Sequence, residues 1–185
     1  TLVQKLTESL GWTPFYEPES DNPYLPEFYK DMQTWAFHSQ VFFLTRRLRA
    51  HKALCAHPGS VIQDRSVYED AEIFACNLYQ QGLIRERDYQ TYRELYQVLT
   101  EFLPPPDLIV YLRADTDILM QRIAQRDRPY ERKMERSYIA ILNNTYESLF
   151  ANYPSQKVLV INTNDLDFVR HTEDLDYVDH AIRQA

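Results

Sequence analysis

The chain has 185 residues, of which 44% are hydrophobic, and its formal net charge is -7 at pH 7. These values fit one domain with a sizeable core. The acidic balance argues against broad nucleic-acid binding, which needs a basic surface. A membrane location is not expected either, because no apolar run could span a bilayer and no signal-peptide pattern opens the chain.

The cysteines and glycines exclude two common kinds of site. Cys55 and Cys76 form no metal or disulfide motif, which is typical of a protein from a reducing cytoplasm. Gly11, Gly59 and Gly82 are the only glycines, so the sequence contains no glycine-rich phosphate loop. We therefore predict a cytoplasmic protein with a single domain over residues 1–185.

Apolar spacing predicts helices and strands that alternate along the chain. In chain order we predict a helix at 1–10, a strand at 13–16, helical structure with one break at 27–55, a strand at 61–64, helices at 71–81 and 85–103, a buried strand at 108–112, a helix at 116–125 capped by Asp115, a helix at 137–153, a strand at 158–161 and a helix at 172–183. Residues 126–132 are too charged and irregular for a core. This alternation predicts an α/β fold with a parallel sheet.

Charged residues follow two of the predicted strands. Glu17 ends the first strand, and Asp64 and Arg65 follow the second. Ligands of parallel sheets bind outside the carboxyl ends of the strands. Two carboxylates and an arginine at that edge suit phosphoryl transfer, in which one acid accepts a proton, the other supports Mg²⁺ and the arginine neutralises phosphate charge. The alternative is a buried strand closed by a surface ion pair.

Three arginines converge near the end of the helix predicted at 116–125. Arg122 and Arg126 are four residues apart and share a helix face, and Arg128 enters the segment that follows. Such a group suits a lid that clamps a polyphosphate. The alternative is a solvated charged face with local acidic partners.

Gln40 lies within an aromatic stretch that includes Trp35 and Phe42. Its amide offers a donor and an acceptor, which matches a nucleobase edge, and nearby aromatic rings could stack on a base. The alternative is an exposed glutamine beside core aromatic residues.

Taken together, these residues resemble the deoxynucleoside kinases, and most of all their bacterial deoxyadenosine/deoxyguanosine kinase branch. The resemblance covers nearly the whole chain and rests on Tyr16-Glu17-Pro18, Asn22-Pro23-Tyr24-Leu25, Phe28-Tyr29-Lys30-Asp31, Trp35 to Gln40, Asp64-Arg65-Ser66-Val67-Tyr68-Glu69-Asp70 with Ile73-Phe74, and the arginines. It implies a P-loop kinase-like, three-layer α/β fold with a lid at about 126–132. It also implies ATP- and Mg²⁺-dependent phosphorylation of the 5'-hydroxyl of a deoxynucleoside in nucleotide salvage. Deoxyadenosine or deoxyguanosine is the favoured substrate, and a homodimer is the implied assembly.

The resemblance assigns the catalytic and phosphate-binding roles as follows. Glu17 resembles the general base, Asp64 the acid close to Mg²⁺, and Arg65 the arginine beside the reacting oxygens. The lid arginines match Arg122, Arg126 and Arg128, and the residue that packs the donor adenine matches Phe168.

The resemblance also assigns six residues to the deoxynucleoside. They are Gln40, which pairs with the base; Arg47 and Asp70, a pair against the base edge; Phe74, an aromatic wall; and Tyr29 and Glu131, which hold the sugar 3'-hydroxyl.

Three features depart from the family pattern. Thr1-Leu2-Val3 resembles the residues just after the lysine and serine of the P-loop, so the first strand and the P-loop are missing from this sequence. We expect that the sequence omits a real N-terminal segment. Asp127 stands in the lid where glycine is usual, and Ser39 precedes Gln40 where animal relatives carry an aromatic, which leaves a roomier base pocket.

Two other functions stay open at this point. One is a non-catalytic, nucleotide-binding or scaffold relative, like the accessory subunit of respiratory complex I with a degenerate phosphate loop. The other is a nucleoside monophosphate kinase. Glu17, Asp64 and the arginines favour an enzyme over the first. The set of Gln40, Arg47 and Asp70 favours a nucleoside over the second.

Overall fold

The computed structural model describes residues 2–16, 22–128, 131–132, 134–153 and 157–185. The chain divides into two compact units. Unit 1 comprises Thr1–Pro14 and Pro105–Ala185, and unit 2 comprises Phe15–Pro104. The single kinase-like domain predicted over the whole chain stays a prediction. None of the helices in the described ranges is both long and apolar enough to cross a membrane.

Helices and strands alternate along the described chain. In order they are α1 (Leu2–Leu10), β1 (Thr13–Phe15), α2 (Leu25–Phe28), α3 (Met32–Cys55), β2 (Val61–Gln63), α4 (Val67–Glu69), a π-helical turn (Asp70–Ala75), α5 (Cys76–Gln80), α6 (Glu86–Thr100), β3 (Ile109–Arg113), α7 (Thr116–Arg126), α8 (Arg136–Ala151), β4 (Val158–Asn162) and α9 (Thr172–Gln184). The predicted α/β class is confirmed, and the break predicted within residues 27–55 separates α2 from α3.

Unit 1 is built on a parallel pair of strands. β3 and β4 pair in register from Ile109 opposite Val158 to Arg113 opposite Asn162. Tyr111 of β3 stacks on Phe150 of α8, with ring centroids 4.6 Å apart. The parallel arrangement brings the ends of both strands to one edge, where the loops leading to α7 and α9 begin.

The packing of unit 2 centres on α3. The buried Leu44 of α3 packs in one cluster with Val67 of α4, Ala71 of the π-helical turn and Tyr92 of α6. Phe15 lies at the end of β1, which is the neighbour of β2 in a two-stranded sheet. The Asp64 N–H donates to the Phe15 carbonyl at 2.9 Å. The residues just after β2 are thereby anchored to β1.

The helix predicted at 71–81 begins four residues earlier than expected, at Val67. The Ser66 N–H donates to Glu69 Oε2 at 2.6 Å, and the Ser66 hydroxyl donates to the same oxygen at 3.1 Å. This capping box starts the helix directly after Arg65. The prediction missed it because the apolar periodicity begins further along.

Two predicted helix ends also differ from the structure. α6 ends at Thr100, three residues before the predicted end, so the helix stops before the three prolines at 104–106. Asp115 precedes α7 as predicted, but its side chain makes no capping hydrogen bond. The Asp115 N–H instead donates to Asn164 Oδ1 at 2.8 Å.

Burial differs from prediction at two places. Of the five β3 residues, only Tyr111 is buried, although a buried strand was predicted there. Glu131 is buried, with 8% of its surface exposed, although residues 126–132 were predicted to be too charged for a core. Ion pairs with nearby arginines allow this burial, because a carboxylate loses less on leaving water when it is paired.

Candidate active site

The segment after β2 places a charged residue in an unusual backbone conformation. Arg65 has φ +60° and is half-buried, and the preceding Asp64 is exposed. The guanidinium of Arg65 lies 4.0 Å from the centroid of the Phe74 ring. The left-handed conformation is unfavourable for any residue that has a Cβ atom. Residues held in this conformation concentrate at functional sites. The tight turn aims the arginine over the aromatic ring instead of along the strand direction.

The helix that follows is locally widened. Residues Asp70–Ala75 form a π-helical turn between α4 and α5. Turns of this kind are rare and frequently occur at functional sites. This one contains both Asp70 and Phe74, two residues that the sequence predicts to lie against the base.

Arg47 and Asp70 form a buried ion pair, as the resemblance predicted. Arg47 Nε and Asp70 Oδ2 lie 2.5 Å apart, and the side chains are 3% and 4% exposed. Arg47 Nη1 also donates to the Arg65 carbonyl at 3.5 Å. The pair therefore joins α3, the π-helical turn and the loop after β2. Buried ion pairs are weak evidence for stability, because taking both charges out of water offsets most of their attraction.

Gln40 lies seven residues before Arg47 on α3, and hence on the same helix face. Its side chain is buried, with 5% exposed, so the exposed-glutamine alternative is wrong. Gln40 Oε1 has no hydrogen-bond partner among the described residues. A buried acceptor without a donor is costly, and it suits a site that a ligand completes.

Ser39, the neighbour of Gln40 on α3, holds the loop that precedes α2. Ser39 is buried and its hydroxyl accepts a hydrogen bond from Asn22 Nδ2 at 3.0 Å. Asn22 Oδ1 accepts from the Tyr24 N–H at 2.9 Å. Tyr29, predicted to hold the sugar, is half-buried after α2, and its ring meets the Phe28 ring edge-on at 5.2 Å. The hydroxyl of Ser39 therefore positions the Asn22 loop, a role that the sequence did not indicate.

Tyr92 and His51 are among the buried polar residues of unit 2 that sequence reasoning missed. The Tyr92 hydroxyl has no hydrogen-bond partner within the described ranges. Burial and then the negative charge of Asp70 raise the pKa of Tyr92, so the phenol stays protonated and can donate. His51 lies one turn beyond Arg47 on the same face of α3, and burial lowers its pKa. The spacing of Gln40, Arg47 and His51 was the available signal, since all three recur at helical intervals.

In unit 1, Arg122 is engaged by the loop after β4. Arg122 Nη1 donates to Thr163 Oγ1 at 3.0 Å, and Nη2 donates to the Leu166 carbonyl at 3.0 Å. Nη2 also donates to the Thr163 carbonyl. Phe168 is half-buried further along this loop. Arg122 thus contacts backbone oxygens, whereas the sequence predicts phosphate contacts for it.

Arg126 and Arg128 share one carboxylate. Arg126 Nε and Nη2 donate to Glu131 Oε2 and Oε1 at 3.1 and 2.8 Å. Arg128 Nη1 lies 3.6 Å from the same Glu131. The local acidic partner considered as an alternative is therefore present. An arginine fork that fits a carboxylate also fits a phosphate, so these contacts leave the predicted lid role open.

Asp127, which replaces the usual lid glycine, ends α7 in the left-handed conformation with φ 48°. Arg132 Nε and Nη2 donate to its two carboxylate oxygens at 2.7 and 2.9 Å. The aspartate therefore takes the conformation that glycine favours. Its charge is matched by a neighbouring arginine.

Two further predicted roles are those of the general base, Glu17, and of the metal-binding acid, Asp64. Glu17, the predicted general base, lies outside the described residues. Within the described ranges, no group of three or more His, Cys, Asp or Glu side chains could hold a metal ion. An exposed Asp64 carboxylate still suits Mg²⁺, which proteins often bind through one or two carboxylates with substrate phosphates and water.

Comparison with known proteins decides the family. A family model described as deoxynucleoside kinase matches residues 1–184. The chain belongs to the deoxynucleoside kinase family. It is 36% identical over 171 residues to the deoxyadenosine/deoxycytidine kinase of Bacillus subtilis strain 168, covering 91% of this chain and 79% of that protein. It is 30% identical over 173 residues to the deoxyguanosine kinase of the same strain, covering 91% and 83%.

A solved structure extends the match to three dimensions. Deoxyadenosine kinase from M. mycoides with bound dCTP is 27% identical, with a TM-score of 0.85 over 100% of this chain and 92% of that one. The predicted P-loop kinase fold and family are confirmed. The protein is an enzyme, a kinase that phosphorylates a deoxynucleoside, and the scaffold and nucleoside monophosphate kinase alternatives are set aside.

Proposed function

We propose that the protein transfers the γ-phosphoryl group of ATP to the 5'-hydroxyl of a purine deoxynucleoside. The observation that carries the base assignment is the buried wall of α3. Gln40 presents an unpartnered amide oxygen there. Arg47 and Asp70 lie on the same side and offer donors and acceptors, respectively. A base that exposes both a donor and an acceptor at its edge would satisfy this set.

The purine preference rests on pocket size. Ser39 is small and its hydroxyl is held by Asn22, so no aromatic ring occupies that position. Relatives carry the names of deoxyadenosine, deoxyguanosine and deoxyadenosine/deoxycytidine kinases. Deoxyadenosine or deoxyguanosine is the substrate we propose, and deoxycytidine is the competitor that the assay must include.

The catalytic roles follow from charge and position. Glu17 would take the proton of the 5'-hydroxyl, and Arg65 would stabilise charge on the reacting oxygens. Asp64 would hold Mg²⁺, which neutralises phosphate charge when bound. Arg126 and Arg128 would exchange the Glu131 carboxylate for phosphate oxygens, because both present the acceptors that a guanidinium prefers. Glu131, once released, would be available to accept from the sugar 3'-hydroxyl.

The assay is ATP-dependent phosphorylation by the full-length protein with Mg²⁺, run against all four deoxynucleosides. We expect the highest kcat/KM for deoxyadenosine or deoxyguanosine. A preference for deoxycytidine or thymidine would contradict the purine assignment. Transfer that does not require Mg²⁺ would contradict the metal role, and no transfer to any of the four would contradict the proposal.

The matched variants are Glu17→Gln and Glu27→Gln. The first removes the proposed base and is expected to lower kcat by about 10²–10⁴-fold. Glu27 is an exposed carboxylate on α2, so its loss is expected to leave kcat unchanged. Equal kcat values for the two variants would refute the role of Glu17.

We also propose a homodimer that pairs through the part of α3 from Trp35 to Arg49 and through the helical residues 71–81. Closed two-fold assembly is the commonest arrangement of soluble homo-oligomers. Light scattering on the full-length protein is expected to give twice the chain mass, and a monomer mass would contradict this proposal. The cytoplasmic location stays a prediction.

A further inference from the structure

Tyr92 of α6 is a buried polar residue to which the proposed function gives no role. Its side chain is fully buried, with 0% exposed. Its hydroxyl has no hydrogen-bond partner in the described part of the chain. An unpaired buried hydroxyl costs free energy, and a phenylalanine would fill nearly the same space without that cost. A buried polar group that does not stabilise the ligand-free fold is typical of a functional site.

The ring of Tyr92 packs against the two segments that carry Arg47 and Asp70. It belongs to the same buried cluster as Leu44 and Ala71. Leu44 lies three residues before Arg47 on α3, and residues at this spacing share one side of a helix. Ala71 directly follows Asp70 in the π-helical turn. The side of α6 that carries Tyr92 therefore faces the segments on which the ion pair is built.

Charged residues fix this arrangement and act on the phenol. Arg93, the neighbour of Tyr92, donates from Nη1 to Glu72 Oε1 at 2.8 Å, which holds α6 against the π-helical turn. Burial, and then the negative charge of Asp70, raise the pKa of Tyr92, whereas the positive charge of Arg47 lowers it. The hydroxyl thus lies close enough to the ion pair to feel both charges, and it keeps its proton as a donor.

We propose that Tyr92 is a positioning residue for deoxynucleoside recognition, whose hydroxyl donates to the Asp70 carboxylate when a base engages Arg47 and Asp70. This inference rests on the proposed function, in which that pair faces the base. A base that accepts from Arg47 competes with Asp70 for the guanidinium, and a buried carboxylate then needs another donor. A carboxylate offers about four acceptor positions, so a phenol and a base can share it. Tyr92 supplies the donor from the side of α6 and orients Asp70 toward the base.

The test is Tyr92→Phe, which keeps the ring and removes only the hydroxyl. Steady-state kinetics are measured on the full-length protein with ATP and Mg²⁺ and the preferred deoxynucleoside. We expect the KM for the deoxynucleoside to rise by about tenfold, the loss typical of one hydrogen bond to a charged group. We expect kcat and the KM for ATP to stay within about twofold of wild type, because neither involves the base pocket. An unchanged KM for the deoxynucleoside would overturn the inference.

A thermal melt and a matched variant distinguish positioning from simple packing. Because the hydroxyl is unpaired in the ligand-free fold, Tyr92→Phe is expected to melt at or above the wild-type temperature. A lower melting temperature together with losses in kcat and in both KM values would indicate a packing role and overturn the inference. Tyr89→Phe removes a hydroxyl from the same helix, but the Tyr89 ring stacks on Tyr79 of α5, with centroids 4.2 Å apart. Its KM is expected to match wild type, and a KM raised equally in both variants would also overturn the inference.

Asp70→Asn separates this inference from the proposed function. A folded Asp70→Asn variant with wild-type KM for the deoxynucleoside would overturn the base role of Asp70, on which the inference rests. A raised KM in Asp70→Asn beside an unchanged KM in Tyr92→Phe would overturn the inference alone. If both are raised, the double variant is expected to be no worse than Asp70→Asn, because Tyr92 acts through that carboxylate. Fully additive losses would contradict this coupling, and Tyr92→Phe remains decisive if Asp70→Asn does not fold.

Discussion

The buried ion pair between Arg47 and Asp70 allows stability and binding to be tested separately. The charged atoms lie 2.5 Å apart, and the side chains are 3% and 4% exposed. Asp70→Leu leaves a guanidinium buried without its carboxylate, and breaking a buried pair in this way costs about 3–5 kcal/mol. A domain unfolds with a free energy of about 5–15 kcal/mol, so the expected loss is a substantial part of the total.

The two single variants are not equivalent. Arg47→Met leaves a buried carboxyl group, which can take up a proton and become neutral. A guanidinium cannot be deprotonated in a protein, so Asp70→Leu leaves a charge that persists. We therefore expect Asp70→Leu to be the more destabilising variant. We also expect the deficit of Arg47→Met to shrink as the pH is lowered.

The double variant Arg47→Met with Asp70→Leu removes both charges and keeps apolar volume. Such replacements are often neutral or stabilising by about 1–4 kcal/mol, so we expect stability to return at least to that of wild type. Binding is not expected to return. Loss of charged hydrogen bonds worth about 1.5–3 kcal/mol should weaken deoxynucleoside binding by about 10- to 100-fold.

The assays are urea denaturation, with midpoint and slope compared, and deoxynucleoside affinity by calorimetry. Single variants that each lose less than about 1 kcal/mol would refute the argument from burial, which requires about 3 kcal/mol or more. A folded double variant with wild-type affinity would refute the proposal that Arg47 and Asp70 face the base.

Three further predictions concern single residues. Burial lowers the pKa of His51 in the folded protein, so the unfolded chain binds more protons in the acid range; stability should fall as pH drops below about 6.5, His51→Gln should flatten this slope in pH-dependent denaturation, and an unchanged slope would contradict the reasoning. Asp127→Ala should have a free energy of unfolding about 1 kcal/mol lower than that of Asp127→Gly, and a lower melting temperature, because both variants lose the carboxylate but only alanine disfavours the left-handed conformation. Equal melting temperatures would mean that α7 does not end in this conformation in solution. Glu69→Ala removes the acceptor of the Ser66 N–H and hydroxyl and should cost about 1 kcal/mol in urea denaturation, and no loss would show that this capping box does not stabilise the helix.

Local patterns were enough for most of the helices and strands. α1 ends where Gly11 takes φ +70°, and its N–H donates to the Thr7 carbonyl at 2.9 Å, as expected of a glycine that closes a helix. β3 and β4 were found within one residue of their predicted bounds. The start of the helix at Val67 was missed, because Ser66 and Glu69 act through a cap that carries no apolar periodicity. The π-helical turn was not predicted, because apolar periodicity does not distinguish it from an α-helix.

The candidate site was predictable by residue type but not by contact. Arg47 and Asp70 were expected as a pair and form one. Arg122 was expected beside Arg126 in a lid, yet it donates to backbone oxygens 41 and 44 positions further along the chain. Tyr92 was not singled out at all, because a tyrosine at helical spacing reads as ordinary core until its buried hydroxyl is seen without a partner.

The sequence by itself determined the α/β class, the kinase family and the set of acids, arginines and amides that the chemistry needs. These depend on short-range order: periodicity along a helix, the residue that follows a strand, and the spacing within a motif. Only the tertiary structure decided which oxygen each arginine contacts and which polar groups are buried without a partner. A long polar side chain can reach many acceptors, and the one it meets depends on which distant segments pack beside it.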